Sequence, residues 1–147
     1  MKISNSGISL IKSFEGLQLQ AYVDAVGILT IGYGHTGPDV HKGLTITEEQ
    51  ATNLLAKDLS SFEAAVTKLI TIPLNQNQFD ALVSFTYNVG IGSLGSSTLR
   101  CRLNAHEDPK TVVQQEMVKW CKGDKNKVLP GLVKRRQAEV ALFCKQV

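Results

Sequence analysis

Period-two alternation of apolar and polar residues occurs in one short stretch of this chain, and helical spacing governs the remainder. That segregation limits the fold more than any other feature. Leu17, Leu19, Ala21 and Val23 alternate with Gln18, Gln20, Tyr22 and Asp24, the pattern of a half-buried strand. Asp24-Ala25-Val26-Gly27 reads as a turn, and residues 28–33 as the returning strand of a hairpin. Gly32, Gly34, Gly37 and Pro38 mark the loop that follows.

Before the hairpin, Ile8, Ile11 and Phe14 with Leu10 predict a helix from about Ser6 to Glu15, stopped by Gly16. After it, Thr47 with Gln50 forms a capping-box pattern, and apolar positions from Ala51 to Leu69 recur at helical spacing until Pro73. Asn75 with Gln78 opens another helix, stopped by Gly90. A short helix is expected over Ser97–Ala105, and Asp108-Pro109 starts one running through Trp120. A polar, lysine-rich loop over 123–130 precedes the last helix, which runs to about Lys145. The expected class is therefore α+β. A small antiparallel sheet lobe covers about residues 15–47 and a connecting helix about 48–70. A helical lobe covers about 71–147 and takes in the N-terminal helix. Two such lobes leave a cleft between them, where ligands commonly bind.

Composition bounds the function classes. With 147 residues the chain is one domain or two small lobes, and its 43% hydrophobic and 20% charged content is that of a globular protein. No run of eighteen apolar residues exists to span a membrane, and the opening MKISNSGISLIKSFEG is too polar for a secretory signal. Synthesis in the cytoplasm without an export address or membrane anchor is the expectation. Residues 1–72 carry five Lys/Arg against seven Asp/Glu, and residues 73–147 eleven against six. That basic half suits an anionic partner or a solubilising surface, but no aromatic-and-basic motif of a nucleic-acid binder accompanies it. Cys101, Cys121 and Cys144 form no metal-spaced pair and read as small buried hydrophobes. His41 and His106 match no ligand pattern, so no metal and no cofactor are expected.

The chemistry-bearing residues lie around the hairpin. Glu15 ends an apolar helix, where partial removal from water favours the protonated acid. Asp24 sits at a turn, where a carboxylate stays hydrated, and Thr30 on the returning strand lies close to it. Two carboxyls in contrasting surroundings with a hydroxyl beside the second is what glycoside hydrolysis needs. Taken singly, each residue has a plain structural explanation; the pattern lies in the combination.

The stretch FEGLQLQAYVDAVGILTIGYGHT, residues 14–36, closely resembles the catalytic segment of phage-type lysozymes. Glu15, Asp24 nine residues later and Thr30 six beyond match that family's Glu/Asp/Thr triad in identity and spacing. The resemblance continues through NQNQFDALVSFTYNVG (75–90) and Trp120 to LPGLVKRRQAEVALF (129–143). It implies a lysozyme-like fold and hydrolysis of the bond between N-acetylmuramic acid and N-acetylglucosamine in peptidoglycan glycan strands. Glu15 would be the acid, Asp24 the base or electrostatic support, and Thr30 the holder of a water. A water between carboxylate and sugar needs carboxyls about 6.5–9.5 Å apart and inverts the anomeric centre. The resemblance also implies a monomer that lyses a bacterial host, reaching periplasmic peptidoglycan through a holin-type pore.

Tyr33 and His35 continue the motif as candidate substrate contacts, with structural hydrogen bonding the simpler role for His35. Arg135 and Arg136 are candidates to reach the cleft, against a plainer reading as solvated helix charge. Phe79, Phe85 and Trp120 read as helical-lobe core. Competing functions are a lytic transglycosylase, which leaves an anhydro sugar, and an inactive wall-binding module. The retained Glu15, Asp24 and Thr30 argue against both.

Overall fold

The computed structural model describes residues 1–123 and 126–146. The chain divides into two compact units, residues 9–61 and residues 1–8 with 62–147. Among the described residues the regular elements are seven α-helices and a two-stranded antiparallel sheet. In order they are α1 (Asn5–Glu15), β1 (Gln18–Val23), β2 (Leu29–Gly32), α2 (Glu48–Leu69), α3 (Gln76–Val89), α4 (Ile91–Ser96), α5 (Thr98–Asn104), α6 (Pro109–Glu116) and α7 (Pro130–Cys144). A 3₁₀ turn, Met117–Lys119, follows α6.

In residues 9–61, β1 pairs with β2 through Tyr22↔Thr30 and Val23↔Leu29, with an irregular register between Gln18 and Tyr22. There the Leu19 carbonyl and Ala21 amide turn to the other edge, bonding the Ile46 amide and Leu44 carbonyl. The segment about Thr45 thereby covers an edge that would otherwise be open to pairing. Burial falls on β2, where Thr30, Ile31 and Gly32 are buried. In β1, Leu19 and Val23 are exposed, against the half-buried strand that their alternation predicts. The reason is packing: Gly32 of β2 meets Ala51 of α2, so β2 carries the covered surface.

Residues 1–8 and 62–147 are built around α3, buried continuously from Phe79 to Thr86 as a helix enclosed on all sides must be. The expected capping boxes form at both helices: the Thr47 amide donates to Gln50 and the Gln50 amide to Thr47, and Asn75 and Gln78 do the same. Asp108 caps α6 through the Thr111 amide. Helix α4 was not legible in the sequence, because IGSLGS offers two glycines and two serines; buried Leu94 anchors it. The helix expected through Trp120 ends at Glu116 and tightens into the 3₁₀ turn. In the expected 123–130 loop, residues 124 and 125 lie outside the described ones, and Lys122 bridges to Val128. The cysteines are free and not buried, contrary to expectation. Cys101 lies two residues from both Leu99 and Leu103, which places it on the outward side of α5.

Asp80 of α3 pins the start of the chain. One of its oxygens accepts from the Ser4 amide at 3.0 Å and from Gln76 Nε2 at 2.7 Å, and the other from the Ser4 hydroxyl. Gly7 lets α1 approach this carboxylate: a Cβ there would lie 2.6 Å from Ile3 Cγ1 and 2.8 Å from Asp80 Cγ. Gly7→Ala is therefore expected to destabilise the protein by about 1–3 kcal/mol through overpacking, read as a lowered urea midpoint at unchanged slope.

Candidate active site

Glu15 is the last residue of α1 and is half-buried, with Gly16 in the left-handed region ending the helix behind it. One turn earlier, Lys12 donates to Thr52 Oγ1 at 3.0 Å, and its ammonium lies 5.3 Å from the centre of the Tyr33 ring. Tyr33 is buried.

Asp24 organises the hairpin turn. Its amide donates to the Ile28 carbonyl at 2.9 Å, and its carbonyl accepts from the Gly27 amide at 3.1 Å. Gly27, at φ +87°, supplies the left-handed residue that a three-residue hairpin loop requires. Asp24 Oδ1 accepts from the amides of Val26 and Ile28, each at 2.9 Å. Among the described residues no hydrogen bond falls on Oδ2. Thr30 is buried, and its hydroxyl donates to the Ile28 carbonyl at 3.0 Å. The Ile28 carbonyl thus accepts from both the Asp24 amide and the Thr30 hydroxyl, which ties the two residues to one peptide unit.

His35 is buried, with both ring nitrogens facing carboxylates: Nδ1 is 2.7 Å from Asp58 Oδ2 and Nε2 is 2.9 Å from Asp39 Oδ2. Burial alone would lower its pKa, but the hydrogen bonds and charges of Asp58 and Asp39 outweigh it and hold the imidazole above the ordinary 6.5. The His35 hydrogen bond conversely holds Asp39 below the ordinary 3.8. A raised histidine contributes stability in full below 6.5 and loses it as pH rises through the folded value. The melting-temperature gap between the protein and His35→Gln is therefore expected to be widest below pH 6.5 and to narrow as the pH rises above it. A gap unchanged over that range would contradict the ion pair's contribution.

Arg135 and Arg136 are buried, which overturns their reading as solvated helix charge. Arg135 donates through Nε to Glu139 Oε2 at 3.2 Å and through Nη2 to the Ser84 carbonyl at 3.1 Å. Arg136 Nε is 2.8 Å from Glu139 Oε1, an ion pair without an aligned hydrogen bond. Its Nη2 donates to Asn88 Oδ1 at 2.6 Å, and its guanidinium lies 5.0 Å from the centre of the Phe85 ring. The Ser84 hydroxyl donates to Glu139 Oε2 at 2.5 Å. Burial raises the Glu139 pKa, against the opposing charges of Arg136 and Arg135. Sequence reasoning passed over Glu139, although a carboxylate at i+4 and i+3 from two adjacent arginines was a readable signal. It also missed Asp39 and Asp58, for which no local pattern announces a histidine partner. Phe79 and Phe85 are core as expected, while Trp120 is half-buried and meets Phe85 edge to face.

Residues 12–139 match the family model described as phage lysozyme. The endolysin of Bacillus phage B103 is 52% identical over 145 residues, covering 97% of this chain and 54% of that protein. This chain spans about half the length of the Bacillus phage endolysins it matches. Among solved structures, the muramidase domain of SpmX from Asticaccaulis excentricus has a TM-score of 0.91 at 43% identity, covering 99% of each chain. The endolysin from Escherichia coli O157:H7 phage FAHEc1 has a TM-score of 0.90 at 44% identity, covering 100% of this chain and 96% of that one. The fold is thus the lysozyme-like α+β fold. Within it, the chain belongs to the phage lysozyme family.

Proposed function

We propose that this protein is an endolysin that hydrolyses the β-1,4 bond between N-acetylmuramic acid and N-acetylglucosamine in peptidoglycan. Glu15 protonates the departing glycosidic oxygen, Asp24 takes a proton from the attacking water, and Thr30 orients that water. The observation that carries this reading is the disposition of hydrogen bonds around Asp24. Two backbone amides occupy Oδ1 and fix the plane of the carboxylate. Thr30 has spent its only proton on the Ile28 carbonyl, so its oxygen can only accept. A water between them donates one hydrogen to Asp24 Oδ2 and the other to Thr30 Oγ1. Both of its lone pairs stay free, and one of them attacks the anomeric carbon.

A water held and activated in this way implies inversion at the anomeric carbon. The test is NMR of the anomer formed in the first moments of hydrolysis of soluble glycan strands, with mass analysis of the ends. An α-configured reducing muramic acid supports the assignment. A β anomer overturns the water-held base, and an anhydromuramic end overturns hydrolysis altogether. In the infected cell the enzyme is made in the cytoplasm, passes a holin-type pore and acts as a monomer on the periplasmic wall. No described helix is long and apolar enough to cross a membrane.

A further inference from the structure

The Asp24 turn does more than hold a carboxylate. Val23, Val26 and Ile28 are 61%, 71% and 49% exposed, an unusual investment of aliphatic surface for one short turn. Val26 and Ile28 belong to the turn that holds the carboxylate, their amides lying 2.9 Å from Asp24 Oδ1, and Val23 precedes Asp24 in the chain. No charged residue occurs from Ala25 to Tyr33, so whatever lies against this rim meets methyl groups and backbone. Flat sugar faces are held by aromatic rings, and Val26 and Ile28 offer none. Branched aliphatic side chains instead suit small methyl-bearing groups that leave water on contact.

We propose that Val26 and Ile28 form a specificity-determining rim that takes the uncharged root of the stem peptide, the lactyl methyl and first alanine on muramic acid. This rests on Asp24 as the base. The muramyl anomeric carbon then lies beside the turn, and the substituent on the same sugar ring is the nearest non-sugar group. The charged residues further along the stem would project beyond the rim.

The test is a cycle of two proteins and two substrates. The double variant Val26→Thr/Ile28→Thr keeps β-branched residues at exposed positions, so the hairpin should stand, and an unchanged melting temperature verifies it. The substrates are soluble uncrosslinked glycan strands bearing stems, and the same strands after amide hydrolysis has removed the stems. On stem-bearing strands the variant's KM is expected to rise about tenfold with kcat little altered, the scale of discrimination an apolar contact carries. On stripped strands, which keep the lactyl methyl but lose the alanine and end in a carboxylate, the KM difference between the two proteins should shrink markedly. Equal losses on both strands would assign the rim to the sugar backbone and overturn the proposal; no loss on either would also overturn it. Asp24→Asn, run alongside, separates the two readings. Wild-type kcat in Asp24→Asn removes the scissile bond from this turn, and the proposal falls with it. A collapsed kcat without coupling in the cycle overturns the rim alone.

Discussion

Glu15→Gln should give a folded protein that no longer clears a peptidoglycan suspension. The side chains are nearly equal in size, so the half-buried end of α1 is preserved, but an amide has no acidic proton for the leaving oxygen. General acid catalysis contributes about 10²–10⁴-fold, and kcat should fall by at least that factor. The check is turbidity loss by equal concentrations of the two proteins, with thermal melts to show both folded. Substantial clearing by Glu15→Gln would remove the residue from the acid role. Asp24→Asn should be equally damaging for a different reason. Asparagine keeps an oxygen for the Val26 and Ile28 amides, so the turn closes, but the proton acceptor is gone. Thr30→Ala should be milder, because Asp24 can still bind the water without its second anchor.

The second large effect is on stability. Glu139 has no exposed surface and faces two guanidiniums that are themselves almost wholly buried. Glu139→Ala would remove the carboxylate that Arg135 and Arg136 share and the acceptor of the Ser84 hydroxyl. Breaking a buried pair from one side costs about 3–5 kcal/mol, far more than the intact pair contributes, because buried charge loses part of its compensation. For a chain of this size that is a fall of about 10 °C in melting temperature. Glu139→Gln keeps the shape and tests the charge alone; it should recover only part of the loss. A melting temperature within 2–3 °C of the parent for Glu139→Ala, on the order of 1 kcal/mol, would mean that water or neighbouring groups compensate the arginines.

The parts of this structure that were legible in the sequence are those fixed by neighbours along the chain. Thr47 with Gln50, Asn75 with Gln78 and Asp108 with Pro109 announce helix starts, because each cap is closed within three residues. Asp24 and Gly27 announce the turn for the same reason. Burial was read less well, because it depends on which surface another layer covers. Alternation in β1 gives the two faces of a strand, but only the meeting of Gly32 with Ala51 reveals that β2 carries the packing. Charge misleads in the same way: two arginines on a helix default to solvent unless their distant partners are known, and Ser84 lies 51 residues from Arg135. In the candidate site, the identities of Glu15, Asp24 and Thr30 came from a motif. The accepting role of Thr30 came only from seeing where its proton goes.

The tie between Ser4 and Asp80 bears on how the protein is born. Ser4 leaves the ribosome 76 residues ahead of its partner, so the first turn of α1 has no anchor while the hairpin segment is emerging. Residues 9–61 make a compact set of contacts among themselves, all of them available once the segment is clear of the exit tunnel. Residues 1–8, by contrast, must wait for α3. Vectorial synthesis thus delivers the Asp24 turn early and closes the Ser4–Asp80 tie late. A nascent chain arrested at about residue 100, with residues 9–61 clear of the tunnel and residue 80 still inside it, should expose its first eight residues to protease while the following segment is already protected.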